Sequence, residues 1–482
     1  MLKQKARLAV FWSSGDIIIK NGMNFGCGIL LARLLSPVEF GTVALLSLFT
    51  GIAGAFVDAG FSSALIQKKD TSTTEESTVF WFNLALGILA GLILWLLSPI
   101  IASFYHLPVL IPLVGLMAIN ITLSALASVQ NALLLKRLDF RMLTQINAAA
   151  IISSSFIAIW LAWAGFGIWA LVAQTLSMTL VTTALLWWFS KWRPVRKFSF
   201  TALRKLFGFG GYLFASTLLN NIFVNSYSVI IGRFYKIADL GHYQRATGLS
   251  DSVSSLLSTV VARVSYPLFS SIANDKERLR RGAQMSLRGT MLFNAPAMLG
   301  LFVAADNLVL TLYGVGWRSA VPYLQILAIA GLFMPLHSIN LNLLLSQGYS
   351  RQYFYLEIAK KIVGIVCLLI GAWNAGVIGV AWATLLINTI GLVINTYFTK
   401  KHIGYGLFSQ LKDILPIIIL ALLMILIVYW VGLQFETQPL IGLTLQIISG
   451  MVIYLALIKV FNISAFTETI GLLHKAKGIT IT

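Results

Sequence analysis

The chain has 482 residues, 58% of them hydrophobic and 11% charged, with a formal net charge of +19. A soluble domain carries roughly 25% charged residues, and no single water-excluded core absorbs apolar sequence in this proportion, so the composition excludes a soluble globular protein. The positive excess sits in short stretches between apolar runs, the form of membrane-orienting charge rather than of a nucleic-acid surface.

Fourteen segments are long enough to span a membrane: 8–33, 38–64, 79–102, 108–134, 142–164, 167–190, 206–232, 242–270, 284–312, 319–346, 353–373, 376–399, 412–432 and 438–460. Each is close to the ~20 residues a helix needs to cross a ~30 Å hydrocarbon core. None alternates as a barrel strand does. The first opens with "MLKQKARLAVFWSSGD" and lacks a small-residue cleavage pattern, so it reads as a retained helix. Within it Asp16 and Lys20 stand four apart and are able to pair on one face, which Asn24 and Cys27 continue, with Asn21 alongside. Gly15, Gly22, Gly26 and Gly28 permit bending or close packing there.

Further along, Asp58 falls near the end of the second segment, where it is either a functional carboxylate or a packing and capping group. The seventh segment carries "NNIFVNSYS", with Asn220, Asn221 and Asn225. The eighth holds Asp251 and Arg263, followed by Pro267, which bends a helix; Arg263 either snorkels or meets an anion. The other helices read as cleaner. An ionisable residue inside a membrane costs about 2.5–3.5 kcal/mol on insertion scales and marks a functional site by default. For Asp16 and Lys20 the alternative is an internal structural pair. Most Trp and Tyr residues read as interface belts. Cys27 and Cys367 lie in apolar runs and support neither a disulfide framework nor a zinc site.

With the N-terminus in the cytoplasm, 28 Lys and Arg fall on the inner side and five on the outer side. That split predicts cytoplasmic termini and a cytoplasmic basic segment, Lys191–Lys205. Two echoes then define an internal repeat. "ILLARLLSPVEFG" (Ile29–Gly41) returns as "VIIGRFYKIADLG" (Val229–Gly241), and "LLLKRLDFR" (Leu133–Arg141) returns as "LLLSQGYSR" (Leu343–Arg351). Arg33 aligns with Arg233, Glu39 with Asp239, and Lys20 and Asn21 with Asn220 and Asn221. Both echoes are six helices apart, an even number, so the halves share one orientation. The expected fold is an all-α polytopic membrane protein with two parallel six-helix lobes, 1–190 and 206–400. They are joined by the basic linker 191–205 and followed by helices 13 and 14 and a cytoplasmic tail, 401–482.

At these residues the chain resembles the polysaccharide transporter family of the multidrug/oligosaccharidyl-lipid/polysaccharide exporter superfamily, with the likeness nearest to Wzx flippases of the colanic-acid-exporter type. The likeness rests on "LARLLSPVEFG", "DAGFSSALIQKK", "ARVSYPLFSSIANDKERLR" and "YGVGWRSAVPYLQILAIAGLF" (Tyr313–Phe333) and extends over nearly the whole chain. It implies two lobes in a V around a cationic cavity, alternating access, and flipping of an undecaprenyl-diphosphate-linked oligosaccharide across the bacterial inner membrane for lipopolysaccharide or exopolysaccharide biosynthesis. Within that reading Lys20 is the first candidate to meet the diphosphate and Arg263 the second. Asn21, Asn24, Asn220, Asn221 and Asn225 would bond sugar hydroxyls, and Asp58 and Asp251 are candidate coupling carboxylates.

No cofactor is expected and no nucleotide-binding motif is present, so a H⁺ or Na⁺ gradient or substrate supply would drive the cycle. The expected partners are the lipid-linked substrate, membrane lipids and polysaccharide polymerase machinery, with no nucleic acid. Two alternatives stand beside this reading. An ion-coupled antiporter of a cationic drug or another small amphiphile would favour an acidic cavity, whereas Lys20 is central here. A membrane-bound polysaccharide-synthesis enzyme would need a sizeable exposed loop with paired carboxylates or a metal constellation, which 16 acidic residues and short outer loops do not provide.

Overall fold

The computed structural model describes residues 2–58, 61–68, 70–273, 275–435, 437–461 and 466; the side chains of 2–14, 16–18, 58, 63, 205–213, 255–268 and 350 lie outside the description. Among the described residues the chain is helical and has no strand. Hydrocarbon offers backbone groups no partner, so a segment that crosses it must bond to itself. In chain order the helices are α1 (Leu2–Leu34), α2 (Pro37–Asp58), α3 (Phe61–Gln67), α4 (Thr73–Tyr105), α5 (Leu110–Lys136), α6 (Phe140–Trp163), α7 (Ile168–Phe189), α8 (Phe200–Val224) and α9 (Ser226–Phe234). They continue with α10 (Ile237–Ser271), α11 (Lys276–Val303), α12 (Ala305–Leu312), a 3₁₀ turn (Val315–Ala320), α13 (Val321–Gly331), α14 (Met334–Ser346), α15 (Ser350–Ile403), α16 (Leu407–Gln434) and α17 (Pro439–Val460). Every one of the fourteen expected segments falls on a helix, a broken helix or half of α15, which is interrupted at Ala375 and Gly376. By length and apolarity ten of the described helices cross a membrane, eleven when the bent pair α11 and α12 counts as one span. The helices α1 and α10, whose sequences hold Asp16, Lys20, Asp251 and Arg263, are not among them.

The chain forms two compact units, Met1–Gly241 and His242–Thr482. In the first, α1 packs along α6, α4 along α5, and α8 against α2 and α3. Its core includes Phe61, Ala64, Leu65, Phe80, Val129 and Trp192, so Phe61, Ala64 and Leu65 form the packing surface of α3. Trp192 belongs to the basic segment, which is bonded to the start of α4: the Val195 N–H donates to Ser77 Oγ at 2.9 Å, the Ser199 N–H to Thr78 Oγ1 at 3.1 Å, and Trp81 Nε1 to the Val195 carbonyl at 3.0 Å. Ser199 then caps α8, accepting from the Ala202 N–H at 3.3 Å.

In the second unit α11, α14, α16 and α17 share one apolar core. Helices 13 and 14 (α16 and α17) are integral to it. Asn307 of α12 donates to Gln446 of α17 at 3.0 Å, and Gly432 and Gly442 leave the space those amides occupy. Just before α16, burial and the Asp413 carboxylate, which accepts from Tyr405 at 2.8 Å, hold the Tyr405 hydroxyl in its protonated form far above the usual phenol range.

The repeat is visible in the backbone. Leu138 and Gly348, at matching places in the second echo, both take left-handed conformations, with φ of 58° and 83°. Around them the bonds correspond one for one: the Leu138 N–H to the Leu135 carbonyl and the Asp139 N–H to the Leu134 carbonyl, against the Gly348 N–H to Leu345 and the Tyr349 N–H to Leu344. Gly167, which opens α7, has φ 57° and ψ −126°, and Gly376, which opens the second half of α15, has φ 64° and ψ −146°. That region admits essentially glycine alone.

The first echo closes on itself. A Cβ on Gly41 would stand 2.0 Å from the Ile237 carbonyl oxygen, and one on Gly241 would stand 1.9 Å from that of Pro37. Pro37 and Ile237 are the first residues of α2 and α10, so equivalent first turns cross reciprocally through equivalent glycines. Ser36 prepares the crossing by donating its N–H to Glu39 at 2.6 Å at the entry to α2. The recurring acid and glycine of the motif are thus a helix start and a helix contact.

Gly241→Ala is expected to lower the thermal unfolding midpoint of the detergent-solubilised protein, with a cost of about 1–3 kcal/mol for a methyl forced into a packed contact. Gly248→Ala on the same helix, where nothing lies within 4 Å of the added carbon, is the control and should leave the midpoint unchanged or raised.

Candidate functional site

Lys20, Asn21 and Asn24 form an exposed polar strip on α1. The same helix turns Cys27 inward, where Gln174 of α7 donates to its sulfur at 3.2 Å. The helix therefore has a packed side, which holds it to α6 and α7, and a polar side that the first unit leaves uncovered. Lys20 is eighteen residues from the start of α1 and fourteen from its end, which at 1.5 Å per residue puts it about 27 Å from the start and about 21 Å from the end. An ammonium at that depth meets either a polar cleft or lipid, and lipid is the costly choice. The Asp16 side chain lies outside the described residues, as do those of Asp58 and Arg263.

On α8 the expected asparagines separate by role. Asn221 donates to the Gly51 carbonyl of α2 at 2.9 Å, and Asn225 donates to the Asn221 carbonyl at 2.9 Å. Both amides are half-buried, and a Cβ on Gly51 would lie 3.6 Å from the Asn225 nitrogen. Asn221 ties α8 to α2, and Asn225 at the end of α8 bonds back to Asn221. Asn220 is exposed on the neighbouring face. Asp251, on α10 in the second unit, is also exposed. The polar strip on α1 and the amide pair on α8 are thus held by different neighbours, α6 and α2.

One polar cluster escaped the sequence reading, which took the later helices as clean and assigned Lys360 and Lys361 to the cytoplasmic side. In the structure Lys360 lies ten residues inside α15, about 15 Å from its start. It is paired with Glu357, one turn earlier, and donates to the Asn395 amide oxygen at 3.3 Å. Asn395, fully buried in the second half of α15, bonds His337 Nδ1 of α14 at 3.1 Å. A Cβ on Gly391 would meet the His337 ring at 3.2 Å and the Lys360 stem at 3.5 Å, so a glycine makes room for both. The available signal was "EIAKK", a carboxylate and two ammoniums inside an otherwise apolar span. A second charged cluster lies toward the start of α16, where Arg288 pairs with Asp413, which also accepts from Gln284 at 3.1 Å. Among the described residues no group of three His, Cys, Asp or Glu side chains is placed to hold a metal ion.

A family model described as "Polysaccharide biosynthesis protein" matches residues 30–322. The chain is 27% identical over 449 residues to the teichuronic acid biosynthesis protein TuaB of Bacillus subtilis, covering 91% of each protein. It is 26% identical to the lipopolysaccharide biosynthesis protein WzxC of Escherichia coli, covering 83% of this chain and 82% of the relative. Among solved structures the fold is shared with the lipid II flippase MurJ in an inward closed conformation, with a TM-score of 0.77 at 16% identity over 94% of this chain and 98% of that one. An inward-facing multidrug resistance MATE family transporter gives a TM-score of 0.64 at 18% identity, over 82% and 98%.

Asn221→Ala removes an interhelical bond of a kind worth about 0.6–1.7 kcal/mol between membrane helices. A correspondingly lower thermal midpoint is expected. An unchanged midpoint would remove the amide from the α2–α8 contact and return it to the substrate candidates.

Proposed function

Because this chain belongs to the polysaccharide biosynthesis protein family, we infer that it is a flippase that carries a lipid-linked oligosaccharide across the membrane for cell-surface polysaccharide production. It is a transporter rather than an enzyme. The relatives in polysaccharide production match it over most of both chains, and its fold is that of flippases and multidrug exporters. The carrier is an undecaprenyl diphosphate. Its headgroup combines a diphosphate with many hydroxyls, neither of which enters hydrocarbon without a large desolvation cost. The lipid tail stays in the bilayer while the head moves through a polar path.

The observation that carries the reading at residue level is the exposed strip of Lys20, Asn21 and Asn24 at mid-depth on α1. A cation there offsets the desolvation of a diphosphate through charge-assisted bonds. Amides beside it donate to and accept from sugar hydroxyls. Asn220 contributes the same chemistry from the equivalent place in the repeat. Arg263 meets the diphosphate on its way in from the cytoplasmic side. The protein sits in the bacterial inner membrane with both termini and the Lys191–Lys205 segment in the cytoplasm, which the charge asymmetry supports. It hands its substrate to polymerase machinery on the outer side.

Depletion of the protein should leave a defined lipid-linked oligosaccharide on the cytoplasmic leaflet, measured by extraction and leaflet-selective labelling. Lys20→Ala should abolish export at near-normal membrane abundance, with Lys20→Arg retaining more activity than Lys20→Gln. Full export by an abundant Lys20→Ala protein would take the diphosphate contact away from this residue. Single cysteines placed in Lys191–Lys205 should resist impermeant reagents in intact cells, and labelling there would reverse the orientation.

A further inference from the structure

The cluster on α14 and α15 has a counterpart position in the first unit. By the register of the repeat, His337 corresponds to Ala127, Glu357 to Asn147, Lys360 to Ala150 and Asn395 to Leu186. Ala127 and Leu186 belong there to an apolar cluster with Leu134, Leu143 and Ile146, and Ala150 is fully buried. The same place in the fold therefore carries no charge in one repeat and an ion pair in the other. The architecture does not require charge at this position, and charge within a membrane helix is costly to keep.

The geometry identifies what the charge does. Lys360 is 14% exposed and Glu357 26%. The ammonium lies between a carboxylate oxygen and an amide oxygen, the donor types that a hard metal cation selects. A fixed ammonium in that position repels any second cation. We propose that this cluster is the coupling site of the transport cycle, in which the Lys360 ammonium stands in for a transported metal cation, so that the site takes up a proton and not sodium. The proposal rests on the flippase reading above and names the ion that drives it.

The proton adds to a carboxylate oxygen of Glu357, giving the neutral acid. Lys360 stays an ammonium, and the site gains one positive charge. With its ion pair gone, Lys360 keeps only its bond to Asn395, which weakens the tie between the two halves of α15 that meet at Gly376. The His337 ring, bonded to Asn395 and lying against Asn388, faces the pair from α14. The other titratable groups facing the pair are Tyr353 and Lys361 on the same helix half.

The first arm of the test needs no flipping substrate. The purified full chain is unfolded thermally in sodium chloride and in choline chloride at equal ionic strength. The wild type should unfold at the same temperature in both. Lys360→Ala and Lys360→Ser, which open the position to an ion, should each rise by about 2 °C or more in sodium, and adding Glu357→Gln should remove the rise. A sodium response in the wild type, or none in either folded Lys360 variant, overturns the proposal. In the second arm Glu357→Gln is combined with Lys360→Met, which leaves a neutral pair. Oligosaccharide flipping should be lost in this double variant at normal abundance, as in Glu357→Gln alone, whereas flipping by the double variant would reduce the pair to a structural contact and overturn the proposal. A wild type that flips nothing would refute the flippase reading alone, since the sodium arm decides the cation site independently.

Discussion

Hydrocarbon supplies no hydrogen bonds, and that constraint runs through every level of this protein. It makes the backbone helical, and it also governs the side chains. Thr42 and Thr396 return their hydroxyl protons to carbonyls one turn back, Val38 and Leu392, each at 2.8 Å. Buried amides meet each other: Asn340 and Gln410 exchange two bonds, at 2.9 and 2.8 Å, and a third ties Gln410 to the Tyr405 carbonyl at 3.1 Å. Charges in the helices find opposite charges, as Arg288 does in Asp413. Beside these bonded groups, an exposed lysine at mid-depth or a lysine held inside an apolar helix stands out as a departure that the fold does not need.

The positions of the helices were legible because they rest on local properties. Twenty apolar residues make a membrane-length helix wherever they occur. The repeat was legible for a related reason. Its echoes mark places where backbone geometry leaves few choices, such as the reciprocal glycines of α2 and α10 and the left-handed turns at Leu138 and Gly348. What stayed hidden depends on partners distant in sequence. Nothing in "KWRPVRKFSF" announces that Trp192 is a core residue, because the rings it packs against come from α4. Asn221 and Asn225 were read as sugar ligands by composition, and nothing in the sequence announced that Asn221 also bonds the Gly51 carbonyl of α2. Lys360 was read as a loop charge because a basic pair near a helix end ordinarily is one. Its carboxylate neighbour was the feature that argued otherwise.

The two repeats share a backbone plan and divide the chemistry. The first keeps its exposed cation on its opening helix, at Lys20, where the second has Asn220. The second carries an internal ion pair on its fifth helix, where the first is uncharged. A duplicated fold that hosts different groups at equivalent places can assign substrate contact to one half and ion binding to the other without altering the helix geometry common to both. The pairing of Gly167 with Gly376 shows how strictly that geometry is kept, since both demand a conformation closed to other residues.

The segment from Lys191 to Ser199 has a consequence for how this molecule can be cut. A protease needs several residues of free, extended chain, and here the peptide groups of Val195 and Ser199 are committed to α4 while Trp192 is in the core. Its basic residues offer trypsin-like enzymes obvious cleavage chemistry, but access requires that the start of α4 open first. A nick made after such an opening would leave the upstream end anchored through Trp192 and the downstream end capped at Ser199. Two half-chains divided inside this segment therefore retain a ready-made clasp, which favours division here over division at an outer turn when the protein is to be built from separately produced pieces.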